Sequence, residues 1–161
     1  MAEKEKTRTL DRIDRNILKQ LQGDARLSYV ELADKVGLST SPCLERVKRL
    51  EREGWIEGYH ARLSAQKLDA GLLVFAEISL NYTSGEVFNE FRRAVVKWPQ
   101  IQECHLVSGD FDYLLKIRIA DMAAYRELLG EIIHELPGVR DSRTLVAMET
   151  IKESSAIPLA L

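Results

Sequence analysis

The sequence predicts an α+β chain in two parts, a three-helix head followed by a βαββαβ sheet domain. Three observations carry this. Apolar residues recur at helical spacing up to Gly54 and at strand spacing from Leu72 onward. Helix-start and helix-stop residues bracket each helical run. In the third helical run, Arg and Lys gather on the side away from the apolar positions. At 161 residues the chain can hold one medium domain or two small ones.

The opening MAEKEKTRT, residues 1–9, is charged and reads as a flexible arm. Leu10, Ile13, Ile17, Leu18 and Leu21 then trace an amphipathic helix that starts near Asp11 and ends at Gly23. Ser28 and Glu31 form an S-x-x-E capping box at the start of the next helix. Val30, Leu32, Ala33 and Val36 supply its expected buried stripe. Gly37 stops it, because glycine tolerates the left-handed conformation of a C-terminal cap.

The third helix follows after a three- to four-residue turn. Pro42 fits only in the first turn, so the N-cap is Ser39 or Ser41. With side chains advancing about 100° per residue, Leu44, Val47 and Leu50 share one face and Cys43 lies on the same side. Ser41, Glu45, Lys48, Arg49 and Arg52 fall roughly opposite, with Arg46 on the flank. One packed face and one donor-rich face, on the second of two helices joined by a tight turn, is the layout of a helix-turn-helix. There the second helix enters the DNA major groove. An ordinary solvated helix also shows a charged face, so the three-helix context carries the inference.

After Gly54, the segment WIEGYHAR (55–62) has aromatic and β-branched residues around Gly58 and reads as a short β-wing. Arg62 or His60 could reach a DNA backbone from it. His60 has no Cys or His nearby with which to share a metal. The head is therefore expected over residues 10–62, and LSAQKLDAG (63–71) as a linker.

The sheet domain is expected over 72–153. In LLVFAEISLN (72–81), Leu72, Val74, Ala76, Ile78 and Leu80 share one face. A helix after Ser84 buries Phe88, Phe91, Val95 and Trp98 and ends at Pro99. IQECHLVS (101–108) and YLLKIRI (113–119) pair across the turn Gly109–Asp112. Asp121 caps a helix with an apolar stripe at Tyr125, Leu128, Leu129, Ile132, Ile133 and Leu136. Pro137 and Gly138 end it, and VRDSRTLVAM (139–148) closes the set. The order βαββαβ is the ferredoxin-like split βαβ. Both helices then cover one sheet face. The other, with Leu73, Phe75 and Leu114 beside Lys116 and Arg118, suits a subunit interface better than open solvent. A dimer through this domain is expected, with two heads reading half-sites about one helical turn apart.

Composition narrows the function classes. Apolar residues make up 45% and charged residues 30%, as in a soluble globular protein. No apolar run is long enough to span a bilayer, and no signal peptide is evident. Cys43 and Cys104 lack any CxxC spacing and read as reduced, buried thiols in a cytoplasmic protein. Net charge is −2 overall, but residues 1–62 carry 13 Lys and Arg against 11 Asp and Glu, whereas residues 63–161 carry 10 against 14. So small an excess favours a concentrated basic patch and several heads acting together.

LDRIDRNIL (10–18), SPCLERVKRLEREG (41–54) and ECHLVSGDFDYLLK (103–116) closely resemble the Lrp/AsnC family of transcription regulators, most of all its leucine-responsive regulatory protein branch. The resemblance runs from about Leu10 to Glu153. It implies a winged helix-turn-helix joined to a ferredoxin-like domain (RAM/ACT-like) that binds amino acids. It also implies homodimers that assemble to octamers or larger discs around which double-stranded DNA wraps, in the bacterial nucleoid. Carried onto this chain, the recognition helix spans Thr40 to Glu53. Ser41, Arg46 and Arg49 are the expected base-edge contacts, and Thr40, Lys48, Arg52 and Arg62 the phosphate contacts. The effector loop corresponds to Val107, Ser108, Gly109, Asp110, Phe111, Asp112 and Tyr113. A neighbouring subunit would contribute Thr144, Leu145, Val146 and Ala147, and residues around His134. Asp110 or Asp112 can accept from an amino acid's ammonium, while backbone N–H groups near Gly109 can meet its carboxylate. The effector expected is leucine, alanine or a similar small amino acid, with no cofactor or metal. The tail SSAIPLAL (154–161) carries no motif that assigns it a role.

Two other classes compete. Glu103, His105, Asp110 and Asp112 could imitate a metal or acid–base site, but nothing supplies a nucleophile or a phosphate loop, so no enzyme is expected. An architectural protein that wraps DNA without sensing a ligand would keep the helix-turn-helix and leave the loop empty. Turn-forming Gly-Asp pairs alone do not separate that class from a sensor.

Overall fold

The computed structural model describes residues 9–81 and 85–159, with all side chains among them except those of Ile133 and His134. The expected arm, apart from Thr9, and the helix start at Ser84 lie outside the described residues. The chain divides into two compact units. One runs up to Arg62 and also takes in the residues from Glu153 onward; the other is Leu63–Lys152.

The head holds α1 (Arg12–Gly23), α2 (Tyr29–Val36) and α3 (Thr40–Arg52). Local chemistry sets each boundary. Asp11 caps α1, accepting from the Asp14 N–H at 2.8 Å, while the Asp14 carboxylate accepts from the Asp11 N–H at 3.3 Å. Ser28 and Glu31 close the same kind of box on α2. Gly37, at φ +70°, ends α2. The N-cap of α3 is Ser39, so Pro42 sits in the first helical turn, where a missing N–H costs nothing.

Ile17, Leu18, Leu32, Ala33, Cys43, Val47 and Leu50 form the head's core. Burying one such aliphatic side chain stabilises the fold by about 1.5–3 kcal/mol. Two stripe assignments change. Val30 is 66% exposed, because two-turn α2 packs through Leu32, Ala33 and Val36. Cys43, not Leu44, occupies the centre of the buried face of α3.

Residues 55–62 form no strand, which corrects the expected β-wing. A strand needs a partner for its N–H and C=O groups. Here the Trp55 and Ile56 N–H groups turn back to the Leu50 carbonyl, and the Tyr59 hydroxyl donates to Glu51 Oε1 at 2.8 Å. The tail also departs from expectation, since Leu159 packs against the head's core.

In the second unit, the segment read as a linker contains a short 3-10 helix, Gln66–Leu68. Then come β1 (Leu72–Leu80), α4 (Gly85–Val95), β2 (Ile101–Leu106), β3 (Tyr113–Ile119), α5 (Met122–Glu135) and β4 (Val139–Val146). This is the expected βαββαβ order. The strands pair antiparallel in the order β2-β3-β1-β4. Asp121 caps α5 by accepting from the Ala123 and Ala124 N–H groups. The central strands bury Val74, Ala76, Ile78, Leu80, Tyr113, Leu115 and Ile117 against Phe91 and Val95 of α4 and Tyr125, Leu128, Ile132 and Leu136 of α5.

The opposite sheet face carries Leu73, Phe75, Leu114 and Leu145. Around them lie Lys116, 2.9 Å from Glu103, and Arg143, 3.7 Å from Glu77. The Lys116 ammonium and then His105 hold the Glu103 carboxyl below its ordinary range. Cys104 is half-buried on β2 rather than buried.

Candidate DNA-reading helix and candidate ligand loop

The capping of α2 and the turn at Gly37 fix where α3 begins, and the buried Cys43, Val47 and Leu50 fix its rotation. Opposite that face lie Ser41, Glu45, Lys48 and Arg52, all exposed, with Thr40 exposed at the helix start. The spacing i, i+4, i+7, i+11 makes one continuous polar stripe.

Arg46 and Arg49 are not part of this stripe. Centring the core on Cys43 rather than Leu44 turns the helix by about 30° from the sequence-based expectation. Both arginines then face α1. Arg46 Nη1 donates to Asp11 Oδ2 and to Asp14 Oδ1, each at 2.7 Å, and Arg49 Nη2 donates to Asp14 Oδ1 at 2.6 Å. The Asp14 backbone N–H, followed by Arg46, holds the Asp11 carboxyl below the usual aspartate range, and the two carboxylates raise Arg46 in turn. The expected outward position of Arg49 is therefore corrected, and both guanidinium groups are engaged by Asp11 and Asp14. Sequence reasoning missed Asp14. The available signal was an acidic residue on the same helix face as Leu10, Ile17 and Leu21. Arg62 projects from the irregular segment after α3, its side chain 82% exposed and 3.9 Å from Glu153.

The second candidate site is the β2–β3 connection. The Val107 N–H donates to the Asp112 carbonyl at 3.0 Å, and the Asp112 N–H donates to the Ile78 carbonyl at 2.9 Å. Asp112 Oδ2 accepts from the Leu80 N–H at 2.7 Å, which ties the loop to the end of β1. Gly109 has φ +149°, a conformation that favours glycine, and a Cβ there would meet nothing within 4 Å. Ser108, Gly109 and Asp110 are exposed, and Phe111 is half-buried.

Tyr113 turns inward. It is 2% exposed and stacks on Phe91 with ring centroids 4.2 Å apart, and burial pushes its hydroxyl up. Its side chain belongs to the helix-side core and not to the loop's open surface. The Thr144 hydroxyl likewise faces the helices, 2.9 Å from the Tyr125 hydroxyl. Leu145 and Val146 are each 38% exposed. The side chain of His134 lies outside the described residues. Because β4 and β2 occupy opposite edges of the sheet, the loop and residues 144–146 do not meet within one chain. Glu103 and His105 pair with each other at 3.2 Å, and among the described residues no three His, Cys, Asp or Glu side chains gather as a metal set.

Comparison with known proteins places both units. Residues 10–57 match a family model described as winged helix-turn-helix DNA-binding, and residues 73–157 match the Lrp/AsnC ligand binding domain. The leucine-responsive regulatory protein of Escherichia coli K12 is 60% identical over 156 residues, covering 97% of this chain and 95% of its own length. Among solved structures, an AsnC family transcriptional regulator from Agrobacterium tumefaciens superposes with a TM-score of 0.89 at 38% identity, covering 92% of this chain and 97% of that one. A transcriptional regulator from Neisseria meningitidis, in complex with L-Met, gives 0.88 at 35% identity over 93% and 97% of the two chains. A helix-turn-helix with its polar stripe exposed, ahead of a βαββαβ ligand-binding domain, places this chain in the Lrp/AsnC family of transcriptional regulators.

Proposed function

We propose that the exposed stripe of α3 reads double-stranded DNA, and that a small amino acid bound beside the 107–112 loop modulates this binding. The observation that carries the reading is the placement of Ser41, Glu45, Lys48 and Arg52 directly opposite the buried Cys43, Val47 and Leu50. Ser41 and Glu45 are suited to base edges, and Thr40, Lys48, Arg52 and Arg62 to phosphates. Arg46 and Arg49 brace the helix instead.

On the ligand side, Asp110 offers an exposed carboxylate for an ammonium, and the backbone at Gly109 admits close approach of a carboxylate. Val146 of a second copy, on the helix-side face with Thr144, would add an apolar contact. The L-Met complex of the Neisseria relative and the leucine-responsive name of the Escherichia coli relative support leucine, methionine, alanine or a similar amino acid. Phe75, Leu114 and Leu145 on the open sheet face support a homodimer, the unit from which octamers or larger assemblies are built. Among the described residues no helix is long and apolar enough to cross a membrane. The protein acts in the cytoplasm on the nucleoid, without catalysis.

The test is gel-shift binding of the full chain to the DNA upstream of its own gene, with and without each of the twenty amino acids. Binding that one amino acid strengthens, weakens or repatterns supports the reading and names the effector. Binding indifferent to all twenty leaves a DNA-wrapping protein without a sensor. Absence of binding at low salt on this and other candidate operators overturns the proposal, because phosphate contacts are strongest there.

A further inference from the structure

Four residues of the head form a closed, charge-balanced group between α1 and α3. Asp14 is 1% exposed, yet both of its carboxylate oxygens are engaged. Oδ2 accepts from the Asp11 N–H at 3.3 Å, and Oδ1 accepts from Arg46 Nη1 at 2.7 Å and Arg49 Nη2 at 2.6 Å. Asp11 uses Oδ1 for the Asp14 N–H at 2.8 Å and Oδ2 for Arg46 at 2.7 Å. The same capping box that starts α1 thus fixes the rotamer of the carboxylate that anchors α3.

We propose that Asp14 is a specificity-determining positioning residue, which sequesters the guanidinium groups of Arg46 and Arg49 so that they do not add unselective phosphate contacts. This rests on the reading of α3 as the DNA-facing helix. Four of its residues are cationic: Arg46, Lys48, Arg49 and Arg52. Asp11 and Asp14 neutralise two of them and leave Lys48 and Arg52 on the exposed stripe. The arrangement resists release, because freeing either arginine strips charge compensation from a buried carboxylate.

The consequence concerns selectivity rather than fold alone. Each phosphate neutralised by a Lys or Arg steepens the salt dependence of DNA binding by about 0.9 in log K against log salt, whatever the sequence. Two unanchored arginines per head would raise binding to any DNA and erode the ratio of operator to non-operator affinity. With them held, the head's affinity depends more on the fit of Ser41 and Glu45 to base edges, and on several heads binding at once.

The test uses the full chain, its operator and a non-operator fragment of equal length, with thermal melting to confirm folding. Arg46→Gln and Arg49→Gln should leave the salt slope on non-operator DNA unchanged. Asp14→Asn removes the charge but keeps the shape. It should steepen that slope by up to about 0.9 per freed arginine per head and narrow the operator to non-operator ratio. If Asp14→Asn does not fold, Asp11→Asn frees only the second anchor of Arg46 and should steepen the slope by less. A slope that becomes shallower in Arg46→Gln or Arg49→Gln would make those residues DNA contacts and overturn the proposal. An unchanged slope in a folded Asp14→Asn protein would reduce Asp14 to a purely structural ion pair. Lys48→Gln and Arg52→Gln serve as controls, each expected to make the slope shallower. If they do not, the reading of α3 as the DNA-facing helix fails, and the proposal fails with it.

Discussion

Gln22 and Ile157 lie 135 residues apart and exchange two hydrogen bonds. Gln22 Nε2 donates to the Ile157 carbonyl at 3.0 Å, and the Ile157 N–H donates to Gln22 Oε1 at 2.6 Å. A side-chain amide here stands in for a neighbouring strand, satisfying both polar groups of one backbone residue. Leu159 continues the contact into the head's core. Ile157 and Leu159 are thus part of the head's structure.

Gln22→Ala removes both bonds at once. It should cost about 1 kcal/mol of head stability, the usual net worth of exposed hydrogen bonds. The Ile157 amide should exchange with solvent markedly faster. Hydrogen exchange measured residue by residue checks this, and equal Ile157 protection in parent and variant would argue against the pairing.

Asp112 and Asp110 should separate under substitution. Asp112→Ala leaves the part-buried Leu80 N–H without its acceptor, so it should destabilise the sheet domain by about 1–3 kcal/mol. Asp110 is exposed, and Asp110→Ala should leave the melting temperature unchanged while weakening any amino-acid effect on DNA binding. Denaturation curves alongside gel shifts distinguish the two outcomes.

Acid should weaken the head through its capping boxes. Asp11 is held below the ordinary aspartate range by the Asp14 N–H and then Arg46. Glu31 is held below the ordinary glutamate range by the Ser28 hydroxyl and backbone. Lowered folded-state values mean stabilisation that is present above the unfolded pKa and lost as pH falls through the folded one. Helicity and melting temperature should therefore hold near neutrality and decline below about pH 4. Asp11→Asn should flatten that decline.

Leu145 tests the proposed dimer. It is 38% exposed on the open sheet face, opposite Phe75 in the strand register. Burying a leucine contributes about 1.5–3 kcal/mol, so Leu145→Lys should weaken self-association by roughly tenfold or more while leaving the monomer folded. Sedimentation over a concentration series reads this directly. Unchanged assembly would move the interface elsewhere.

The sequence by itself determined the elements whose causes are local. Asp11, Ser28 and Asp121 start helices by bonding N–H groups two or three residues on, and Gly37 ends one through a conformation glycine adopts freely. Period-two alternation in β1 and β3 named the helix-side face, which α4 and α5 cover through its middle, while Leu72 and Ile119 at one end stay half-buried and Leu73 on the other face is buried as well. Only the tertiary structure decided what depends on distant neighbours. Leu44 and Cys43 are both apolar, and packing against α1 and α2 chose Cys43 for the centre. That choice swung Arg46 and Arg49 onto Asp14, more than thirty positions away. The same holds for residues 55–62, whose composition suits a strand but which pair with no strand among the described residues, and for the tail, whose only signal is a few apolar residues. Periodicity specifies that a face exists; its rotation, its partners and the reach of its charges are set by whatever fills the space beside it.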